Sequence, residues 1–288
     1  MADYIIYTDS ACDITPEMLN EWGVPCRNLT FRFEDDQIEH TGDDMDVNAF
    51  YERMRKGGIA KTAAVNPDTF VEEFDKILAD GKDVLYLGFS SGLSTTYNSA
   101  RIAGLQLADK YPERKVVAVD TLSASAGFGL LVYLVLQKKN EGATIDEAAA
   151  YANELRYKLC HWFTVDDLVY LKRGGRVSPT VAFVGNVLSI KPVLHMDNEG
   201  HLIKKSQVRG RRNAIAALAE KYTELAEDPA NSTIFISHGD CVKDAELLAE
   251  MIKEKHGAET KLTVYVGPVI GAHSGPGTLA LFFVGNER

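Results

Sequence analysis

The chain lacks the short signatures that mark several classes of protein. Its four cysteines, Cys12, Cys26, Cys160 and Cys241, are scattered, and no C-x-x-C pair occurs. This spacing predicts neither a metal site nor a disulfide framework, and a reducing cytoplasm fits it best. The sequence also has no G-x-x-x-x-G-K-[ST] loop for nucleotide phosphates, so we expect no cofactor and no turnover by this chain alone.

Long apolar runs and positive charge are also scarce. The longest apolar run, Phe128 to Leu136, is about half the length that spans a bilayer, which argues against stable membrane insertion. Lys and Arg number 31 against 41 Asp and Glu, and this acidic balance argues against nucleic acid as a general partner. No basic and apolar leader precedes the strand-like Tyr4 to Tyr7, which predicts that the chain is not exported.

A recurring pattern of strand, polar turn and helix indicates the fold class of the N-terminal half. Three short apolar runs are predicted as the strands, and a polar turn and a helix follow each of them: Tyr4 to Tyr7, Val84 to Phe89 and Lys115 to Val119. Alternating strands and helices predict a parallel-sheet α/β domain, which we place at residues 1–150. Ligands of such sheets bind at the carboxyl ends of the strands, so we expect a site at these polar turns.

The pattern changes near residue 150, and residues 151–288 are predicted to form a second, α+β domain. An amphipathic segment from Asp146 to Leu159 comes first, and an apolar stretch from Val181 to Leu194 follows. The remaining pieces are predicted as four strands and two helices: His201–Val208, Thr233–Ser237, Lys261–Val266, Leu279–Val284, Asn213–Ala226 and Lys243–His256. The 45% hydrophobic content is sufficient for a core in each domain.

The turn after the central strand is unusually rich in hydroxyl groups. Five of its residues carry one, namely Ser90, Ser91, Ser94, Thr95 and Thr96. A helix is predicted to begin there, and the free N–H groups and macrodipole of a helix start favour an anion. Helix capping explains one or two of the five hydroxyls. The whole set favours a polar receptor.

The same turn also fits a rival interpretation. Gly88 to Gly92 matches the G-x-S-x-G nucleophile elbow, so a serine esterase using Ser90 with His273 or His238 is an alternative. In an elbow the helix follows the serine at once, whereas here further turn residues intervene. A binder of a small phosphorylated metabolite is a third possibility, and it predicts a polar second domain, which the stretch from Val181 to Leu194 argues against.

Other candidates lie outside the central turn. Thr62 falls within Lys61 to Pro67, which we interpret as a connector between helices. His273 lies between glycines and prolines in Gly267 to Gly277, which we interpret as a constrained turn. Asp9 and Asp13 are either ligands or turn and capping residues. Two basic groups suggest an acidic partner, a phosphate clamp or a solvated surface: Lys172, Arg173 and Arg176, and Lys204, Lys205, Arg209, Arg211 and Arg212.

Taken in order, these segments resemble the DegV family over nearly the whole chain. The resemblance is carried by Thr8-Asp9-Ser10-x-x-Asp13, Ser90-Ser91-Gly-Leu-Ser94-x-Thr96-Tyr97, Val119-Asp120-Thr121, Leu171-Lys-Arg173-Gly-Gly-Arg176-Val-Ser178, Lys191-Pro192 with Val208-Arg209-Gly210, and Gly271-Ala-His273-Ser-Gly-Pro-Gly277. It implies a two-domain α/β fold that holds one long-chain fatty acid. The carboxylate would lie near the interdomain cleft, with the tail buried in the C-terminal domain. Some members present the acid to a separate ATP-dependent fatty acid kinase subunit, which makes an acyl phosphate.

The resemblance also implies roles for particular residues. Thr62 and Ser94 would bind the carboxylate, and His273 would complete the polar network, with Ser91 and Thr95 as further ligand-binding residues. Arg173 would lie at the cleft mouth, where a kinase subunit docks. The family usually has Ser-Gln after the threonine and Gly after the serine, whereas this chain has Ala63-Ala64 and Thr95. Each of the following residues is a candidate either for the tail pocket or for the ordinary core: Phe163, Leu168, Val181, Phe183, Val184, Val187, Leu188 and Phe282.

Overall fold

The computed structural model describes residues 3–36, 38–177 and 189–288, which form thirteen strands and ten α-helices. The strands are β1 Tyr4–Asp9, β2 Cys26–Arg27, β3 Thr30–Phe33, β4 His40–Thr41, β5 Ala60–Ala63, β6 Asp83–Gly88, β7 Val116–Asp120, β8 Leu159–Thr164, β9 Ile190–Met196, β10 Leu202–Arg209, β11 Ile234–His238, β12 Thr260–Tyr265 and β13 Leu279–Val284. The helices are α1 Pro16–Trp22, α2 Val47–Arg55, α3 Pro67–Ala79, α4 Thr96–Ala108, α5 Ser125–Asn140, α6 Ile145–Leu155, α7 Val169–Gly174, α8 Arg211–Leu225, α9 Val242–His256 and α10 Pro268–Ser274.

The N-terminal sheet is parallel, as the sequence predicts. Its four strands run in the order β2-β1-β6-β7, and all three pairings are parallel. The central strand β6 is buried along its whole length, which fits its continuous apolar sequence. The turns that follow β1, β6 and β7 therefore lie at the same edge of the sheet.

The second sheet has six strands in the order β10-β9-β8-β13-β11-β12. Only β11 and β12 pair in parallel, and the other pairings are antiparallel. The side chains alternate between two buried faces, as strand geometry requires. One face packs with α8 and α9 through residues such as Trp162, Leu281 and Ile236. The other face carries His161, Phe163, Ala280 and Phe282, among others, and helix α5 lies on it.

A third, small sheet was not expected. Strands β4, β3 and β5 form an antiparallel sheet, in which Phe31 of β3 pairs with Thr62 of β5. The interpretation of Lys61 to Pro67 as a connector is therefore wrong, because Thr62 lies in a strand. Four residues with the sequence Ala-Lys-Thr-Ala carry no alternating apolar pattern, and their pairing with β3 determines their conformation.

Two further boundaries differ from the expectations. The segment Gly267 to Gly277 contains helix α10, which begins at Pro268 after the N-cap residue Gly267 and ends before Gly275, so its interpretation as a turn is wrong. Proline at the first helical position and glycine after the last are ordinary helix-boundary signals. The amphipathic segment from Asp146 also ends early, because α6 stops at Leu155 and β8 begins at Leu159.

The two large sheets share one hydrophobic core. Residues of the first sheet, such as Leu85 and Leu87, belong to the same buried cluster as Phe163 and Phe282 of the second. Residue 150 lies within α6, which packs on β6 and β7. Within the described residues, no helix combines the length and the apolar character needed to cross a membrane.

Candidate functional site

A cavity of about 390 Å³ lies where the three sheets meet. The turn after β6, the end of β5, helix α10 and the inner face of the second sheet all contribute to its wall. Most of the wall is apolar and includes Phe89, Phe163, Leu171, Met196, Leu202 and Phe282. A volume of this size is within the range of cavities that hold small organic ligands.

The polar end of the cavity is built around Thr62 and His273. The Thr62 hydroxyl oxygen is 2.8 Å from His273 Nε2, which joins β5 to α10. Burial, together with the nearby Arg176 guanidinium, lowers the pKa of His273 to about 4, so the ring is neutral at pH 7. Gly174 lies directly against the other ring nitrogen, and any side chain there would overlap it. The His273 ring is therefore held between Thr62 and Gly174.

The five hydroxyls of the central turn do not act as one group. Ser91, Ser94 and Thr95 line the cavity, while Ser90 and Thr96 are buried in the structure around it. The Ser94 and Thr96 hydroxyl oxygens are 2.9 Å apart, and Ser94 also accepts the Thr96 N–H at 3.2 Å. Because Thr95 makes no capping hydrogen bond at the start of α4, capping does not occupy its hydroxyl.

A buried carboxylate supports this turn from below. Asp9 Oδ2 accepts the Tyr86 hydroxyl at 2.6 Å and the Phe89 N–H at 3.0 Å, and Oδ1 accepts the Ala11 N–H. Burial raises the pKa of Asp9 to about 6, although these hydrogen bonds oppose the shift. Asp9 therefore has the turn and capping role that the sequence left as one of two possibilities. Its hydrogen bond with the Phe89 N–H holds the backbone directly after β6.

Arg176 supplies a positive charge that sequence reasoning did not assign to the site. Its guanidinium lines the cavity, donates through Nε to the Leu93 carbonyl at 3.2 Å and donates through Nη1 to the Gly174 carbonyl. Burial lowers the pKa of Arg176, but an arginine stays charged. The Gly-Gly-Arg segment was the available signal, because it places a cation directly after a helix end.

A second cleft of about 490 Å³ lies next to the first cavity, and Val269 lines both. Its described lining contains Asp13 and Asp43 and no lysine, arginine or histidine. An anion would be repelled there. The first cavity, with Arg176 and His273 at one end, is therefore the better site for an anionic ligand with an apolar body.

Ser90 is poorly placed to act as a nucleophile. It donates its hydroxyl hydrogen to the Gly200 carbonyl at 2.9 Å, and the Gly92 N–H donates to it. Among the described residues, its hydroxyl has no hydrogen bond to a histidine, because His273 contacts Thr62 and His238 accepts from the Cys241 N–H. Within the described residues, Ser90 therefore has no hydrogen-bonded base of the kind that activates a serine nucleophile.

Asp13 occupies the interface between the two large sheets. Its Oδ2 accepts the Ser125 hydroxyl, and Ser125 is 2.9 Å from the Ser237 hydroxyl across the interface. Both serines line the cavity, whereas Asp13 lies behind them and faces Gly267 with Oδ1. Burial raises the pKa of Asp13 to about 7.

The described residues contain no cluster of three His, Cys, Asp or Glu that fits a metal ion.

The tail candidates have three outcomes. Phe163 and Phe282 line the cavity, as expected. Leu168 packs against the core instead, which is the other outcome that the sequence left open. The remaining five, Val181, Phe183, Val184, Val187 and Leu188, lie outside the described residues. The wall comes from both halves of the chain rather than from the C-terminal half alone.

Some residues of the two basic groups are exposed on the surface, and others contact neighbouring side chains. Arg173 is exposed on α7, with its guanidinium carbon 5.8 Å from the Tyr170 ring centre. It directly precedes Gly174, which contacts His273. In the second group, Arg211 is tied to Asp244 at 2.9 Å, whereas Lys205 and Arg212 are exposed.

Comparison with known proteins agrees with this architecture. The family model described as "Uncharacterised protein, DegV family" matches residues 4–286, which is almost the whole chain. The chain belongs to the DegV family. A DegV domain-containing protein of Clostridium perfringens is 42% identical to it, with 100% of this chain and 99% of the relative covered.

Other members of the DegV family carry names that refer to a ligand. A protein of Thermotoga maritima named a fatty acid-binding protein is 32% identical, with 95% of each chain covered. A solved structure of a DegV family protein from Thermus thermophilus, whose title refers to fatty acid binding, aligns with a TM-score of 0.88 and 26% identity. That alignment covers 99% of this chain and 100% of the other. The fold and family expected from the sequence are therefore confirmed.

Proposed function

We propose that the cavity binds one long-chain fatty acid and that the chain presents it to a separate ATP-dependent kinase subunit. The observation that supports binding is the division of one cavity into an apolar body and a polar end. Thr62 and Ser94 would hydrogen-bond the carboxylate, His273 would complete the polar network through its contact with the Thr62 hydroxyl, and Arg176 would balance the charge of the carboxylate. Ser91 and Thr95 lie on the same wall. The named ligands of the DegV relatives support the same class of molecule.

The energetics assign different roles to the two ends of the ligand. Burying about 14 methylene groups at roughly 0.8 kcal/mol each gives on the order of 11 kcal/mol. Hydrogen bonds to a charged group contribute about 1.5 to 3 kcal/mol each, and they must first offset the desolvation of the carboxylate. The tail therefore supplies most of the affinity, and the polar end selects an acid over an ester or an alcohol.

A partner is needed for any chemistry on the bound acid. The sequence has no nucleotide-phosphate loop, and the described cavity has no serine and base pair. Arg173 is exposed on the helix whose last residue contacts His273, so a protein that docks there would be near the carboxylate. We place this exchange in the cytoplasm, where the four cysteines stay unpaired.

The test is an acyl phosphate assay with an ATP-dependent fatty acid kinase subunit. Arg173→Ala should lower the rate by about tenfold or more, as for a central interface arginine, while fatty acid binding stays unchanged. Lys172→Ala is the matched control, because Lys172 is also exposed on α7. Equal rates for wild type and Arg173→Ala would show that the partner docks elsewhere.

A further inference from the structure

Strand β7 leaves one edge of the first large sheet open. Among the described strands it pairs only with β6, in a register without a bulge. Natural edge strands are protected by charges, prolines or bulges, because their free N–H and C=O groups can pair with another chain. The edge strand β10 of the second sheet has such protection, in the form of Lys204, Lys205, Arg209 and a register shift. In β7, the four residues from Val116 to Val119 are all apolar and have no such protection.

The pairing of β7 with β6 shows which backbone groups of β7 face the open edge. Lys115 and Thr121, which flank the strand, both hydrogen-bond to residues of β6. Because every second residue of a parallel strand faces the same neighbour, Val116 and Ala118 present their N–H and C=O groups to the open edge. Two copies of β7 that meet antiparallel about Val117 would pair Val116 of each chain with Ala118 of the other. The open edge is therefore complementary to itself.

Helix α4 adds an apolar surface beside this edge. Leu105 is 64% exposed, more than any other large hydrophobic side chain among the described residues, and Ile102 on the same helix is exposed as well. A groove of about 390 Å³ lies between α4 and β7, and its lining includes Leu105 and Val116. A β-carbon at Gly104 would overlap the Val116 side chain, so this part of α4 lies directly on the start of β7. An exposed leucine beside an open strand edge indicates a contact surface.

The charges on α4 are complementary to themselves about Leu105. Arg101 lies four residues before Leu105 and Asp109 lies four residues after it, so the three residues form one row along the helix. Arg101 and Asp109 are exposed, and, unlike Lys110, which contacts Asp75, neither has an ion-pair partner among the described residues. If two copies of α4 pack antiparallel about Leu105, each Arg101 meets the Asp109 of the other chain. A parallel arrangement would place like charges together.

We propose that the face formed by α4 and β7 is an interface between two copies of this chain, related by a two-fold axis near Leu105 and Val117. A second copy fits this face better than an unrelated strand does, because both the backbone edge and the charge row are complementary to themselves, as a two-fold interface requires. The interface joins two four-stranded sheets into one continuous sheet. Leu105 supplies apolar burial, whereas the exposed ion pairs select the antiparallel orientation and contribute little affinity. The groove shares no lining residue with the cavity, so this inference does not depend on the proposed function.

The first experiment is analytical ultracentrifugation of the wild-type protein at concentrations from about 1 to about 500 μM, because the fraction of dimer depends on concentration. We expect the mass to rise from 31.7 kDa, the mass of one chain, towards twice that value. Leu105→Glu should weaken association by about tenfold or more, because it places a charge at the centre of the interface. Val242→Glu is the matched control, since Val242 is 46% exposed on α9, and it should associate as the wild type does.

Charge reversal tests the two-fold arrangement. Arg101→Asp and Asp109→Arg each place like charges opposite each other and should weaken association several-fold. The double variant restores two opposite-charge pairs and should associate as the wild type does. Because both side chains are exposed, the variants should fold normally, which circular dichroism checks.

Three results would overturn the inference. A wild type that stays monomeric at every concentration would leave the open edge to a strand of a different protein. A dimer that is unaffected by Leu105→Glu would have its interface elsewhere. A double charge-reversal variant that associates as weakly as either single variant would contradict the antiparallel packing of the two copies of α4.

Discussion

The Thr62 hydroxyl and His273 Nε2 lie 2.8 Å apart, although 211 positions separate the two residues in the sequence. Thr62 is on a short edge strand of the small sheet, and His273 is on a seven-residue helix that packs on this sheet and on α7. Their contact brings two parts of the fold together at the polar end of the cavity. The head group of a bound acid would be recognised at this junction.

Removing the Thr62 hydroxyl should weaken fatty acid binding. Thr62→Val keeps the β-branched shape that suits a strand and removes one hydrogen bond to the carboxylate, so we expect affinity to fall by about tenfold or more. The measurement is a calorimetric titration with hexadecanoic acid. Thr30→Val on the neighbouring strand is the control, because the Thr30 hydroxyl contacts Glu39 instead. Equal losses in both variants would point to disturbance of the sheet.

Ser94 should contribute more to discrimination than to retention. Ser94→Ala removes a hydroxyl at the head-group end but leaves the apolar wall intact. We therefore expect the preference for a fatty acid over its methyl ester to fall several-fold, with a smaller change in total lipid retained. Competition between the acid and its ester reports this ratio. If the wild type itself retains acid and ester equally, the head-group assignment is wrong.

Gly174 should be required for the position of His273. The β-carbon of Gly174→Ala would overlap His273 Nδ1, so the ring must move away from Thr62 and fatty acid affinity should fall by about tenfold. Gly42→Ala is the control, because a β-carbon there meets nothing closer than 3.9 Å. A crystal structure of the Gly174→Ala variant with the ring unmoved and affinity unchanged would contradict this account.

Asp13 should make stability depend on pH with a definite sign. Burial raises its pKa from 3.8 to about 7, so between about pH 4 and 7 the folded state holds a proton that the unfolded state has lost. The folded state therefore loses stability as pH rises through this window. Asp13→Asn, which tolerates the left-handed backbone at this position, should be the more stable protein at pH 8 by up to about 4 kcal/mol.

Urea unfolding at pH 4.5 and pH 8 measures the Asp13 effect. The stability of Asp13→Asn relative to wild type should increase between the two values. Asp109→Asn, which removes an exposed carboxylate, is the control and should track the wild type. A stability difference between Asp13→Asn and wild type that is the same at both pH values would show that the Asp13 carboxyl does not hold the extra proton.

Much of the fold could be predicted from sequence because its signals are local and strong. The continuous apolar runs of β6 and β13 identify strands without reference to any partner. The misses have a common cause. Strand β5 is defined by pairing with β3, and α10 is a short helix with three glycines inside or beside it, so neither has a clear pattern of its own.

The candidate site was predicted only in part. Thr62, Ser94 and His273 came from the family resemblance, and the structure brings all three to one cavity. Arg176 was visible within a quoted motif but had no assigned role. His161 also lines the cavity and was not predicted, since an isolated histidine in an apolar strand carries no pattern that distinguishes it from a core residue.

The most direct test of fatty acid binding is the mass of the purified protein, measured first under native conditions and then after denaturation in organic solvent. The account predicts an excess mass of one long-chain fatty acid per chain, which disappears on denaturation and is recovered in the organic phase. A chain purified without lipid that also fails to bind added fatty acids would contradict the account, and the cavity would then need a different ligand.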